Sequence, residues 1–182
     1  MNNNRKKFIR EKEGGILQRQ SYFLASLFGI GFVPVMPGTV ASLATLPLVW
    51  LLLRIGQYKG LIIGTLIILA VSYFVVAIAL KYTKDDHDPS FIVLDEVIGQ
   101  LITFFLPALI WGAKLHFALY PAGFLLFRFF DILKPFHVGW VQKNVKGALG
   151  VILDDIIAAL YATLILVVIA ALINIFPVAA ER

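Results

Sequence analysis

The 182-residue sequence contains no cysteine and few charges for its length. Without a thiol, the chain has no cysteine nucleophile, no disulfide and no thiolate metal site. Charged residues make up 15% of it, whereas an ordinary soluble domain has about a quarter. No internal repeat or low-complexity tract is evident. The length leaves room for one domain.

The sequence instead consists largely of long apolar runs: 60% of the residues are hydrophobic and the mean hydropathy is +0.88. This predicts an all-α fold, a polytopic transmembrane helix bundle with four to five spans of about 20 residues each. A basic cytoplasmic leader is expected at 1–20 and a single transmembrane domain at 21–182. The expected segments are a Pro/Gly-broken, re-entrant first segment at 21–33, a loop at 34–38, and helices at 39–53, 60–80, 95–111, 115–133 and 147–176.

The placement of Lys and Arg predicts the orientation, because cytoplasmic loops are enriched in both. With a cytoplasmic N-terminus and alternating spans, Arg128 lies inside a helix and four of the 16 cations face the far side. The net charge of +5 therefore indicates an anionic membrane surface rather than nucleic acid. The cations expected on the cytoplasmic side are Arg5, Lys6, Lys7, Arg10, Lys12, Arg19, Lys81, Lys84, Lys134, Lys143 and Lys146.

Most acidic residues are predicted on that same side, at or near helix ends, beside the loop at 34–38. Ionisable residues in spans are functional sites by default. Segments that are distant in sequence should therefore converge on one plane and build one site. The acids concerned are Asp85, Asp86, Asp88, Asp95, Glu96, Asp131, Asp154 and Asp155.

Asp95 and Glu96 open the helix expected at 95–111. An acid at a helix N-terminus is stabilised by the macrodipole, by about 0.3–1 kcal/mol, which accounts for one carboxylate. It accounts less well for two that are followed, within an apolar span, by Gln100 and Thr103. We interpret the pair as part of a site.

Two further helices contribute charges. Arg128, Asp131 and Lys134 are spaced i, i+3 and i+6, so successive members lie close on the helix surface. A buried Arg–Asp pair with a snorkelling lysine is the structural alternative. Asp154 and Asp155 lie about two turns inside the last helix, too deep for capping, where an acid at mid-span costs roughly 2.5–3.5 kcal/mol. We interpret both sets as functional.

Carboxylates from three helices indicate a hard metal ion. Oxygen ligands select Mg²⁺, or Mn²⁺, over zinc, and a cation offsets the repulsion between the carboxylates. Arg128 and Lys134 are suited to bind a phosphate anion. The combination at a membrane surface predicts chemistry on a lipid headgroup phosphate. The three histidines are interpreted as solvated structural residues: His87, His116 and His137.

Four motifs follow one another along the chain: PGT at 37–39, LDEVIGQ at 94–100, FRFFDILKP at 127–135 and LDDIIAAL at 153–160. With them, nearly everything after the leader resembles the phosphatidylglycerophosphatase A family of bacterial membrane lipid phosphatases. The resemblance implies Mg²⁺-dependent hydrolysis of phosphatidylglycerol phosphate to phosphatidylglycerol and phosphate. It also implies a multi-pass protein of the bacterial inner membrane whose active site faces the cytoplasm. Val35, Met36 and His137 depart from the pattern beside the motifs.

The resemblance also implies residue roles, by motif match. Whether a carboxylate acts as general base or attacks the phosphorus itself stays open. Gly38 and Thr39 would offer backbone N–H groups at a helix N-terminus. The implied catalytic residues are Asp95, Asp131, Asp155, Arg128 and Lys134; the metal ligands are Asp95, Glu96, Asp131, Asp154 and Asp155; the substrate-binding residues are Gly38, Thr39, Asp88, Arg128 and Lys134.

Other classes fit the sequence less well. The Pro-Ser-Gly-His and Arg-Pro motifs of histidine-dependent lipid phosphatases are absent, as is the Asp-Gly motif of CDP-alcohol phosphotransferases. The alternative from another class is a cation- or proton-coupled membrane transporter using intramembrane carboxylates, with acids near the midplane and repeated halves. An assembly subunit explains the Asp154–Asp155 pair worst. The expected partners are the phospholipid substrate and the bilayer, without nucleic acid; the oligomeric state stays open.

Overall fold

A computed structural model describes residues 15–83, 89–112, 115–135 and 137–180. All regular structure in these ranges is helical, which confirms the predicted fold class. The elements are α1 (Gly15–Ala25), a short 3-10 turn (Ile30–Phe32), α2 (Pro37–Lys81), α3 (Leu94–Thr103), α4 (Phe105–Trp111), α5 (Leu119–Leu133), α6 (His137–Asn144) and α7 (Gly147–Ala180). The predicted boundary between leader and domain, at residue 20, falls inside α1.

The long element α2 is a helical hairpin rather than one rod. Its backbone leaves helical geometry at Gly56 and Gln57, and Gln57 has a positive φ of 52°. A Cβ placed on Gly64 would lie 2.8 Å from Leu52 Cδ2. These residues are 12 positions apart, so a straight helix would separate them by about 18 Å. The chain therefore turns back at Gly56, as the separate predictions at 39–53 and 60–80 require.

Among the described residues, three helices are long and apolar enough to cross a membrane: Pro37–Lys81, Leu94–Trp111 and Gly147–Ile173. The first folds back on itself, and the second combines α3 with α4 across a break at Phe104. α5 has 15 residues and packs along α7. These candidate spans account for most of the described helical length.

Two hydrophobic clusters define the two ends of the bundle. In one, Leu53 and Leu61 of the hairpin bend pack with Leu119 at the start of α5 and Ala170 late in α7. In the other, Ala79 at the end of α2 packs with Leu94 at the start of α3 and with Ala148 at the start of α7. We call the second the acidic end, because Asp95, Glu96, Asp131, Asp154 and Asp155 lie beside it.

Gly99 lets three helices meet near the acidic end. A Cβ on Gly99 would collide with the Phe127 ring of α5 and would lie 3.1 Å from the Asp155 backbone oxygen of α7. The absence of a side chain therefore brings α3 against α5 and α7 one turn below Asp95. α6, which packs against α7, was not among the predicted elements.

Candidate active site

A cavity of about 400 Å³ opens at the acidic end. The predicted convergence of separate helices is confirmed here, because the start of α2, the start of α3, the end of α5 and the early part of α7 all reach it. Its lining residues are Met36, Pro37, Gly38, Ser90, Ile92, Asp95, Glu96, Arg128, Asp131, Ile132, Lys134, Asp154 and Asp155.

Three carboxylates form the centre of this cavity. Asp95, Glu96 and Asp155 each offer one oxygen, and these three atoms lie within 4.8 Å of one another. Asp95 and Glu96 come from the first turn of α3, whereas Asp155 comes from α7. Asp155 is 3% exposed and Asp95 is 6% exposed, so bulk water shields them little.

Arg128 joins two of the helices electrostatically. Its Nη1 forms an ion pair with Asp131 Oδ2, one turn along α5, and lies 3.7 Å from Glu96 Oε1 on α3. The i, i+3 spacing of Arg128 and Asp131 in the sequence therefore corresponds to an ion pair in the structure. The guanidinium stands between the two carboxylates.

Lys134 forms the second cross-link, to α7. Its Nζ donates a hydrogen bond to Asp154 Oδ2 at 2.7 Å, and Asp154 Oδ1 accepts one from the Asp155 backbone N–H at 3.2 Å. Lys134 follows the last residue of α5 and has a left-handed backbone, with φ 45° and ψ 57°. A lysine rarely adopts this conformation, which directs the side chain across to α7.

The charges of the cavity do not balance within the described residues. Five carboxylates line it and two cations accompany them, which leaves an excess of three negative charges if all are ionised. Two carboxylates about 5 Å apart repel by roughly 3 kcal/mol at an effective dielectric constant of about 20. The trio of Asp95, Glu96 and Asp155 therefore suits a divalent cation.

The beginning of α2 forms the wall beside Glu96. A Cβ on Gly38 would collide with Glu96 Oε1 and would lie 3.1 Å from Arg128 Nη1, so a larger residue there would displace the Glu96 carboxylate. Met36, which precedes the helix, has a left-handed backbone with φ 48°, and Pro37 occupies the first helical position. Gly38 lies in the first turn, where backbone N–H groups have no acceptor within the helix.

Thr39 and Asp88 are the other predicted site residues. The Thr39 hydroxyl is buried without a hydrogen-bond partner among the described residues, and Thr39 does not line the cavity. Asp88 and His87 lie outside the described residues. His137 contacts the Tyr161 hydroxyl at 2.8 Å, and His116 is exposed. Five lining residues were not among the predicted site residues: Met36, Pro37, Ser90, Ile92 and Ile132.

The fold and the cavity together define a class: a helical membrane protein with a carboxylate-rich, cation-suited site at one end of its bundle. Comparison with known proteins gives the family. The model of the phosphatidylglycerophosphatase A family matches residues 23–170. The chain belongs to the phosphatidylglycerophosphatase A family, which confirms the resemblance inferred from its motifs.

Individual relatives agree over most of their length. The chain is 35% identical to phosphatidylglycerophosphatase A of Escherichia coli, over 80% of each chain. It is also 35% identical to the Haemophilus influenzae protein of that name, over 79% of this chain and 85% of the relative. A Bacteroides thetaiotaomicron protein, whose name proposes it as a phosphatidylinositol-3-phosphatase, is 32% identical over 78% of this chain and 87% of its own. No solved structure matches the chain significantly.

Proposed function

We propose that this protein hydrolyses the phosphomonoester of phosphatidylglycerol phosphate, releasing phosphatidylglycerol and inorganic phosphate. The observation that carries the proposal is the meeting of Asp95, Glu96 and Asp155 in one cavity with Arg128 and Lys134 on its wall. The two 35%-identical relatives bear the name of this activity. The acids gather at one end of the bundle rather than at its middle, which disfavours the transporter alternative.

The chain's own residues supply two kinds of interaction. Arg128 and Lys134 lie on the cavity wall, where they can neutralise the oxygens of a phosphate as charge develops on them. Both already contact carboxylates, so their side chains are held in place before substrate binds. Asp131 and Asp154 thereby position the two cations. A carboxylate of the trio then serves as general base towards water or as nucleophile towards phosphorus.

Asp95, Glu96 and Asp155 are the residues that would hold Mg²⁺ in this proposal. Oxygens on an octahedral Mg²⁺, at about 2.1 Å each, lie about 3–4 Å apart. The spread of up to 4.8 Å among the trio therefore needs only a small side-chain adjustment. When bound, the ion would supply positive charge to the phosphoryl oxygens and to the attacking group. Asp131 and Asp154, which the motifs also imply as ligands, each hold a cation through Oδ2, so they would join the ion through Oδ1 or by leaving their ion pairs.

Phosphate release by the purified full-length protein in detergent tests this activity. With phosphatidylglycerol phosphate and Mg²⁺ we expect release that EDTA abolishes and that Mg²⁺ or Mn²⁺ restores. Release that persists in EDTA would contradict the metal requirement. No release under any condition would contradict the activity.

Phosphatidylinositol 3-phosphate is the second substrate to compare, because the 32%-identical relative carries that activity in its name. Both lipids present a phosphomonoester, so the cavity's charges alone do not separate them. We expect the larger kcat/KM for phosphatidylglycerol phosphate. The reverse preference would assign the inositol lipid instead.

The acidic end faces the cytoplasm in this proposal, as the distribution of Lys and Arg predicts. The cysteine-free chain allows a direct test with single cysteines. Lys81→Cys lies at the acidic end and Lys59→Cys near the hairpin bend, both at exposed positions. A membrane-impermeant maleimide added to intact cells should label only Lys59→Cys; labelling of only Lys81→Cys would reverse the orientation.

A further inference from the structure

The segment before the hairpin, residues 15–36, exposes several large apolar side chains. On α1 the polar residues Gln18 and Ser21 are buried, at 8% and 4% exposed. The large apolar residues Ile16 and Phe23 are 75% and 53% exposed. A helix in water turns its apolar stripe inward. α1 buries Tyr22 and Ala25 beside these polar residues but leaves large apolar side chains outside, so its outer face is suited to an apolar medium.

In the turn that follows α1, the backbone N–H groups are hydrogen-bonded to nearby backbone carbonyls. Each of the eight consecutive N–H groups from Ser26 to Val33 donates a hydrogen bond to a carbonyl within residues 22–30. Pro34, next along, has no N–H to satisfy. An irregular turn in water has no need of this, because solvent accepts such bonds. In lipid every backbone donor needs a partner within the protein.

The same turn pushes apolar side chains outward at a conformational cost. Leu27 and Phe28 have positive φ values of 48° and 57°, which non-glycine residues rarely adopt. Phe28 is 66% exposed, and Val35 and Met36 beyond it are 67% and 54% exposed. Strained backbone persists where it has a use. Here Phe28 points outward while Leu27 packs against the bundle, and Met36, which lines the cavity, also has a positive φ of 48°.

The segment is attached to the start of α3. The Val93 backbone N–H donates to the Ala25 carbonyl at 3.0 Å, two residues before Asp95. Phe32 stacks on Phe91 with ring centroids 5.5 Å apart. A Cβ on Gly31 would collide with the Phe91 carbonyl oxygen, so the chains are in close contact. Where the segment lies in the membrane therefore determines where the carboxylates lie.

We propose that residues 15–36 form an interfacial platform whose outer apolar face inserts into the lipid leaflet and holds the cavity at the depth of the lipid phosphates. The occupant of this face is the bilayer itself, because the face lies beside the apolar spans. Arg19, exposed on α1, adds a cation that suits anionic headgroups. The platform sets the depth of the site, and its insertion does not depend on the substrate proposed above.

Depth measurements in vesicles test the platform. Phe23→Cys and Phe28→Cys, each in the full-length cysteine-free chain, carry an environment-sensitive fluorophore in phosphatidylglycerol–phosphatidylethanolamine vesicles. Lys143→Cys is the control, an exposed position on α6. We expect quenching by spin labels on the upper acyl chain at both Phe positions, and quenching by aqueous iodide at Lys143→Cys. Iodide quenching at all three would overturn the platform. So would protection from both quenchers with cross-linking of two copies through Phe28→Cys, which would assign the face to a second copy.

A kinetic measurement tests its consequence. Phe23→Ser/Phe28→Ser should raise the KM for lipid phosphate in mixed micelles, expressed as surface mole fraction, by about tenfold. The kcat should stay unchanged, because neither residue lines the cavity. Phe117→Ser, 82% exposed near the opposite end, should change neither constant. An equal rise in KM for Phe117→Ser, or none for the platform variant, would overturn the role in depth. If all variants lack activity, the fluorescence result still decides the platform and only the proposed function fails.

Discussion

The cations near the hairpin bend and the two cations that line the cavity have opposite surroundings. Near the hairpin bend, Arg54 lies over the Trp50 ring at 5.3 Å and Lys59 lies 6.0 Å from the Tyr58 ring, and both cations are exposed. At the acidic end, Arg128 and Lys134 are 13% and 24% exposed at their side chains, and each contacts a carboxylate.

The exposed cations near the hairpin bend are suited to anchoring, whereas the paired cations of the acidic end are suited to chemistry. An exposed cation over an aromatic ring contributes about 0.5–1 kcal/mol and keeps most of its hydration. A buried charge loses its hydration, so it is stable only when paired, and removal of its partner is costly. The acidic end nevertheless contains several buried charged residues. The excess of carboxylate there is what makes that end suited to a cation and a phosphate.

The largest effect is expected from a substitution at the centre of the acidic end. Asp155→Asn removes a charge from the trio while keeping its shape, so phosphate release should fall by on the order of a thousandfold. Arg54→Gln at the other end should leave release unchanged. Rates on phosphatidylglycerol phosphate in detergent, with Mg²⁺ varied, measure both. An Asp155→Asn enzyme of normal rate would remove the trio from the site.

The Lys134–Asp154 pair offers the next effect, in stability. Lys134→Met leaves Asp154, 3% exposed, without its cation, which should lower the free energy of unfolding by about 3 kcal/mol. The double variant Lys134→Met/Asp154→Leu should recover most of that loss, because no charge is left unpaired. Its phosphate release should remain low, since the phosphate-facing cation is still missing. Thermal unfolding in detergent measures the first effect, and recovery of activity in the double variant would reduce Lys134 to a structural role.

Much of this architecture follows from the sequence, because each prediction depended on a local pattern. Apolar runs gave the spans, and prolines and glycines gave the break before α2, although the helix begins at Pro37, inside the loop predicted at 34–38. Helix direction alternates at each turn, so Asp95, Asp131 and Asp155 had to reach the same end. The spacing of Arg128 and Asp131 gave their proximity, since it depends only on helix geometry. The contact they make is the ion pair that was the structural alternative.

Contacts between the side chains of different helices could not be predicted from local sequence patterns. Helix rotation decides that Lys134 meets Asp154 and that Asp155, rather than Asp131, joins Asp95 and Glu96. Ser90 and Ile132 line the cavity through loop path and helix rotation. Ser90 lies outside the four motifs, and Ile132 lies within FRFFDILKP without a predicted role. The exposed apolar face of α1 depends on which side packs against Phe91, which composition does not specify.

Gly38→Ala is the third test and sharpens the role of geometry at the acidic end. The added methyl group would displace the Glu96 carboxylate and the Arg128 guanidinium, so kcat should fall by about tenfold to a hundredfold. Gly56→Ala is the matched control at the hairpin bend, because nothing lies within 4 Å of its added Cβ. Steady-state kinetics on both variants give the comparison. Equal activity in the two would show that the wall of α2 yields without affecting Glu96.

The smallest effect concerns Gln100, one turn below Glu96 on the same face of α3. Its side chain is fully buried, and neither amide atom has a hydrogen-bond partner among the described residues. Thr103, a turn further on, donates its hydroxyl hydrogen to the Gly99 carbonyl at 2.9 Å. Gln100→Met should therefore raise the free energy of unfolding by about 1 kcal/mol, because it removes an unsatisfied amide while keeping the volume.

Thr103→Val, the control, removes a satisfied hydroxyl and should give no such gain. Thermal unfolding of the two variants in one detergent makes the comparison. A loss of stability in Gln100→Met would mean that the amide is satisfied by an ordered water beneath the carboxylates. In that case the polar region of the acidic end extends one turn deeper into the bundle than its cavity, and Glu96 is held from below as well as by Arg128.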